Sequence, residues 1–116
     1  HLGSEQYQWL IKDLKEEAQP SLIIKGDQFF GGYQPFESYE GNHPRDFDNF
    51  VTDLKALGTP FVFLSGDRHM SEIMQFPRSL FGLPSFEITS SPMHARTFEP
   101  SEVKNPWRVV AVENKN

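Results

Sequence analysis

"FVFLSGDRHM", residues 61–70, decides how this chain is read. Its first four residues, Phe61-Val62-Phe63-Leu64, are apolar without alternation, the pattern of a strand in a sheet covered on both sides. The run stops at Ser65-Gly66, and Asp67 and His69 follow one residue apart. Ligands of open α/β sheets collect beyond the carboxyl ends of such strands. In an extended segment residues i and i+2 point the same way, so this carboxylate and imidazole can meet one metal ion or one substrate group. Gly66 permits a sharp turn and close approach by a ligand. Imidazole with carboxylate suits zinc, iron or manganese, whereas carboxylate alone suits calcium or magnesium. Two ligands do not complete a site, because a catalytic zinc takes about three from the protein plus water. A lone D-x-H triplet also fits a plain loop, with the Asp bonded to backbone N–H groups and the His on the surface.

Outward from this stretch, the periodicity places the remaining elements. Residues 4–18 read as a helix whose face carries Tyr7, Leu10, Ile11, Leu14 and Ala18, with Ser4 as a cap and Pro20 as a stop. Leu22-Ile23-Ile24 reads as a short buried strand closed by Gly26. A loop rich in Gly, aromatic and polar residues fills 25–43. A second helix spans 44–57, with Phe47, Phe50, Val51, Leu54 and Leu57 on its apolar face, Pro44 in its first turn and Gly58 at its exit. Strands are expected at 71–76, 85–89 and 107–112, with a long loop at 91–106. The order predicts a layered α/β unit with added antiparallel strands in a single segment, 1–116.

Composition bounds the function classes. Against 16 Asp+Glu stand 11 Lys+Arg, a formal net charge of -5, and no basic run exists to build a nucleic-acid or acidic-membrane surface. The absence of cysteine removes disulfides, thiolate zinc sites and thiol nucleophiles. No signal peptide and no apolar run near the roughly 18 residues of a membrane span is present. There is no Gly-x-Ser-x-Gly elbow, which argues against a serine hydrolase.

Five pieces occur in order along nearly the whole chain: "LGSEQYQWL" at 2–10, "IIKGDQFF" at 23–30, "ESYEGNHPRDF" at 37–47, "FLSGDRH" at 63–69 and "FEITSSPM" at 86–93. Together they resemble the C-terminal part of the alkaline phosphatase D (PhoD-like) family of metallophosphoesterases, with Tyr39 where that family usually has Trp. The resemblance implies an α/β (α+β) fold, the C-terminal half of a calcineurin-like sandwich, with a mixed sheet and flanking helices. It implies that Asp67 and His69 are metal ligands and that Ser65 stands behind them. Arg68 would face the phosphate or solvent, with solvent favoured. Gln28 would hydrogen-bond in or near the site, or staple its loop. The implied cofactors are two or more metal ions drawn from calcium, iron, zinc and manganese. The implied partners are a phosphoester substrate and the N-terminal half of the same protein, in a periplasmic or secreted location.

The family's early ligand motifs have no counterpart here, and the family normally continues through one more strand beyond "VAVENKN". The expectation is therefore a C-terminal fragment of a phosphatase, inactive by itself and bare on one sheet face. Gly41-Asn42-His43 imitates the broader superfamily's Gly-Asn-His motif, but Phe30 and Pro44 stand where acidic or amide residues are required, so Asn42 or His43 is read as a helix cap. His94 lies in a loop beyond a strand, as a structural residue or a neighbour of the site. Tyr39 is expected to pack on the second helix rather than line a pocket, and Trp9 and Trp107 to serve a core or an interface. The alternative to the hydrolase is a non-enzymatic α/β binding or interaction domain in which Asp67 and His69 have no chemistry.

Overall fold

A computed structural model describes residues 2–31, 38–90, 96–97 and 104–112. The first helix, α1 (Ser4–Glu17), begins one residue earlier than Ser4 as a cap would require. Gly3 holds the N-cap position, and Ala18, left-handed at φ 48°, closes the other end with its N–H on the Leu14 carbonyl. The apolar stripe does what its spacing predicts: Leu14 is buried, and Tyr7 and Leu10 pack against the core. A hydrogen bond from the Tyr7 hydroxyl to Asp53 fastens α1 to the helix beside it.

That helix, α3 (Pro44–Leu57), has Pro44 in its first turn and ends on Gly58 at φ 66°, a conformation that favours glycine. It buries Phe47, Phe50 and Leu54. Between the two lies a one-turn helix, α2 (Tyr39–Asn42), inside the segment expected to be loop. Ser38 caps it, accepting from the Gly41 N–H at 3.0 Å. A second unpredicted turn, α4 (Arg78–Phe81), follows Pro77.

Five strands form one mixed sheet: β1 (Ser21–Ile24), β2 (Phe61–Ser65), β3 (Ser71–Phe76), β4 (Ser85–Thr89) and β5 (Arg108–Val112), in the order β1-β2-β4-β3-β5. β1, β2 and β4 run parallel, while β3 pairs antiparallel with β4 and with β5. The later strand therefore inserts between β2 and β3, so that β2 and β4 leave the sheet side by side and in one direction. This is the expected α+β class with flanking helices. Among the described residues no helix is long and apolar enough to cross a membrane.

Among the described residues, cover is found on one face of the sheet. Ile23, Phe61, Phe63, Met74 and Phe76 point into a core closed by α1, α3, Phe29 and Phe30. The opposite face carries an apolar row that crosses every strand. By register, Ile24 lies beside Leu64, Leu64 beside Ile88, Ile88 beside Ile73, and Ile73 beside Val110. A second row runs Leu22, Val62, Phe86. Ile24 is 71% exposed and Leu22 63%. The unalternating run at 61–64 predicted cover on both sides; the described residues supply cover on one.

Two leucines of opposite burial check this arrangement. Leu54 is 1% exposed and Leu22 63%. Leu54→Ala should lower unfolding free energy by about 2–5 kcal/mol, and Leu22→Ala by less than about 0.5 kcal/mol, both read from denaturant midpoints. Equal losses would show that the outer face is packed.

Candidate functional site

Three chain segments meet at Gly66. The Lys25 N–H reaches the Leu64 carbonyl at 3.1 Å, the Gly66 N–H reaches the Gly26 carbonyl at 3.0 Å, and the Ser90 N–H reaches the Ser65 carbonyl at 2.9 Å. A Cβ at position 66 would stand 3.1 Å from the Gly26 carbonyl oxygen and 3.5 Å from that of Ser90. Glycine is needed here because three backbones converge, not because of its φ. The ends of β1, β2 and β4 are thereby drawn to one point, with an ion pair between Lys25 and Asp27 at its margin.

From this point the chain turns through two left-handed residues, Asp67 at φ 64° and His69 at φ 52°. Asp and His tolerate that region better than most side chains, yet such residues persist only where their surroundings hold them. The segment is thus not extended, so the i, i+2 argument made for an extended strand does not describe it. Alternate left-handed residues leave Asp67 exposed and His69 half-buried, while Arg68 and Met70 turn inward. Arg68 is 3% exposed, which corrects the expectation that it faces solvent. The turn is closed by the Arg68 N–H on the Gly66 carbonyl at 2.8 Å.

His69 Nδ1 lies 2.7 Å from the Arg96 carbonyl oxygen. A carbonyl only accepts, so Nδ1 carries the proton in this contact and the neutral ring has its lone pair at Nε2. A backbone carbonyl on one ring nitrogen is the usual way a metal-ligating histidine is oriented. The donor set therefore fits part of a metal centre: one carboxylate and one oriented imidazole. Among the described residues, no group of three or more His, Asp or Glu side chains is assembled to hold an ion.

Behind the turn, on the helix-covered side, lies a polar layer of which sequence reasoning named Ser65 and Gln28 but not Glu72, Glu87 or Thr89. Glu87 on β4 is fully buried. Its Oε1 accepts from the Phe29 N–H at 2.7 Å and from the Ser65 hydroxyl at 2.6 Å, and its Oε2 accepts from the Phe30 N–H at 2.9 Å. Ser65 has spent its proton on Glu87, so the Thr89 hydroxyl, 3.0 Å away, donates to Ser65 Oγ. Gln28 Nε2 donates in turn to Thr89 Oγ1 at 2.9 Å and to Glu72 Oε1 at 2.6 Å. Glu72 completes the chain with the Arg108 guanidinium at 2.6 Å and the Asn105 amide at 3.2 Å.

Of the residues named from sequence, Asp67 and His69 share one turn. Ser65 stands beneath it, bonded to Glu87. Gln28 is buried in the polar layer as a staple of its loop. Tyr39 packs as expected, with its ring 5.5 Å from that of Phe47 and 5.8 Å from that of Phe50. His43 occupies the N-cap position of α3 without a side-chain capping bond, so the cap is positional only. Trp9 is 60% exposed and belongs to no core, while Trp107 packs edge-on to Phe76 at 6.0 Å. His94 lies outside the described residues.

Glu87 has an opposing pair of influences. Burial pushes its carboxyl up to about 7, reinforced by the nearby Glu72 carboxylate and opposed by the bonds from Ser65, Phe30 and Phe29. A folded pKa above the unfolded value of 4.5 means that the folded state holds the extra proton between about pH 4.5 and 7. Stability contributed by this group should therefore fall as pH rises through that window and be level above it. Glu87→Gln cannot ionise, so the stability difference between wild type and variant should shrink or reverse as pH rises from about 4.5 to 7. A pH-independent difference in urea midpoints would contradict this assignment.

No family model matches the chain, and no curated protein matches it. A solved structure titled "Structure of PhoD" is similar, with a TM-score of 0.55 and 21% identity. The match covers 78% of this chain and 20% of that one. The chain thus spans about a fifth of the structure it matches, and at this identity the likeness is one of fold. The α+β arrangement of a mixed five-stranded sheet with flanking helices is a PhoD-like fold element.

Proposed function

We propose that this chain is the C-terminal part of a metal-dependent phosphoester hydrolase of the alkaline phosphatase or phosphodiesterase kind, contributing Asp67 and His69 to its metal centre. The observation that carries the reading is the turn itself. Two potential ligands, Asp67 exposed and His69 half-buried, lie on one turn with left-handed residues at the joined exits of three parallel strands, and the imidazole is oriented by a backbone carbonyl. The similarity of fold to PhoD and the ordered motifs support it.

Asp67 would hold a metal ion through its carboxylate and His69 through Nε2. A metal ion held there (calcium, iron, zinc or manganese) would supply neutralisation of phosphate charge, and zinc in particular would lower the pKa of a bound water towards about 7. The protein's share is positioning: Gly66 keeps the three backbones in contact, and the polar layer holds the turn from behind. Further ligands would come from the N-terminal half of the same protein. The bare apolar row from Ile24 to Val110 is the surface that half would cover, in keeping with a chain that spans a fifth of its structural neighbour. A periplasmic or secreted location is part of the same proposal.

The bare face also favours a second reading, an interaction domain that docks through its sheet and has no chemistry at Asp67. Turnover separates the two. The protein encoded by the complete reading frame, given calcium, manganese, zinc or iron, should hydrolyse an aryl phosphate monoester or diester, and residues 1–116 alone should not. Asp67→Ala and His69→Ala should each lower kcat/KM by about a thousandfold or more, while His43→Ala stays within about tenfold, a change below ~1.4 kcal/mol. Wild-type turnover in Asp67→Ala, or metal-dependent turnover by the isolated chain, would overturn the proposal.

A further inference from the structure

The buried Glu87 carboxylate has no role in the chemistry proposed above. No Lys, Arg or His among the described residues pairs with it. A fully buried acid without a cation is costly, and its retention in a β-strand needs an explanation. Its three bonds supply one. They come from two separate segments, the backbone of Phe29 and Phe30 and the hydroxyl of Ser65.

Ser65 is the last residue of β2, and Gly66 and Asp67 follow it directly. The 28–30 segment is the continuation of the loop whose Gly26 carbonyl receives the Gly66 N–H. One carboxylate therefore ties both walls of the junction to β4. The turn above it contains two left-handed non-glycine residues, which relax unless held. Besides the backbone bonds at Gly66 and Ser65 and the His69–Arg96 contact, the turn is held from beneath by the Ser65–Glu87 bond and the inward burial of Arg68 and Met70.

We infer that Glu87 is a positioning residue: by clamping Ser65 and the 29–30 backbone to β4, it fixes the turn that presents Asp67 and His69. This rests on the proposal that those two residues are the functional pair, but its test does not require a metal. Glu87→Gln keeps the shape of the side chain while replacing one acceptor oxygen by an NH₂ group that faces donors.

The experiment compares wild type, Glu87→Gln and a core truncation (Val51→Ala or Leu54→Ala) chosen to match Glu87→Gln in denaturation midpoint. Amide exchange at Phe29 and Phe30 and the ¹⁵N tautomer signature of the His69 ring are measured without metal. In Glu87→Gln the two amides should exchange about tenfold faster or more, and His69 should lose its Nδ1–H signature. The core truncation should keep that signature. If Glu87→Gln fails to fold, Ser65→Ala, which removes one donor of three, should show the same His69 change in weaker form. Wild-type His69 spectra in the folded Glu87→Gln protein, or in Ser65→Ala where only that variant folds, would overturn the inference. The same loss of the His69 signature in the matched truncation would overturn it too, by reducing Glu87 to general stability. If Glu87→Gln alters His69 while manganese perturbs neither Asp67 nor His69 in wild type, the metal reading fails and the positioning role stands.

Discussion

The packing of this protein converges on Phe63. Its ring is fully buried and lies 4.4 Å from Phe29, 5.1 Å from Phe61 and about 6 Å from Phe30, Phe50 and Phe81. Those partners come from the 28–30 loop, from β2 itself, from α3 and from α4. One interior strand residue thus locks both the helix layer and the loop onto the sheet. Two residues later the same alternation brings Ser65 inward, where the aromatic core gives way to the buried polar layer. The turn with Asp67 and His69 follows at once. The precision of the candidate site depends on a rigid base, and Phe63 is where that base is anchored.

The sheet is asymmetric in a way that joins fold to function. Aromatic residues saturate the helix side, and branched aliphatic residues in register fill the other. Monomeric proteins rarely leave so continuous an apolar face to water. Among the described residues the aliphatic back has no cover, and the chain spans about a fifth of the PhoD structure it resembles in fold. The polar layer lies toward the exits of β2 and β4, and the apolar back runs the width of the sheet; under the proposed function, the cover of that back and the further metal ligands belong to one proposal, not two.

Much of this was legible in the sequence. The helix stripes of residues 4–17 and 44–57 have clear 3.6-residue spacing, and Pro44 and Gly58 mark the ends of the second. The strands at 71–76 and 85–89 stand where the pattern places them. The short helices Tyr39–Asn42 and Arg78–Phe81 escaped because four residues carry no periodicity. The orientation of β4 was the deeper omission. Its alternation is Ser85, Glu87, Thr89 against Phe86, Ile88, and ordinary pattern reading turns the polar set to water. The structure turns it inward. The signal was a carboxylate amid hydroxyls near a strand end, which means a buried network only once the neighbouring loop supplies backbone donors. Arg68 was misjudged for a related reason: the turn is left-handed at both its neighbours, and an extended template does not foresee which side chain turns in.

Under the proposed function, Asp67 and His69 together attract a divalent ion. The most direct measurement is a paramagnetic manganese titration of the protein followed by NMR. Manganese accepts both carboxylate and imidazole ligands, so the resonances of Asp67 and His69 should broaden before any others, and Asp67→Ala should abolish the effect at His69. Broadening that begins elsewhere, or that persists unchanged at His69 in Asp67→Ala, would contradict the account.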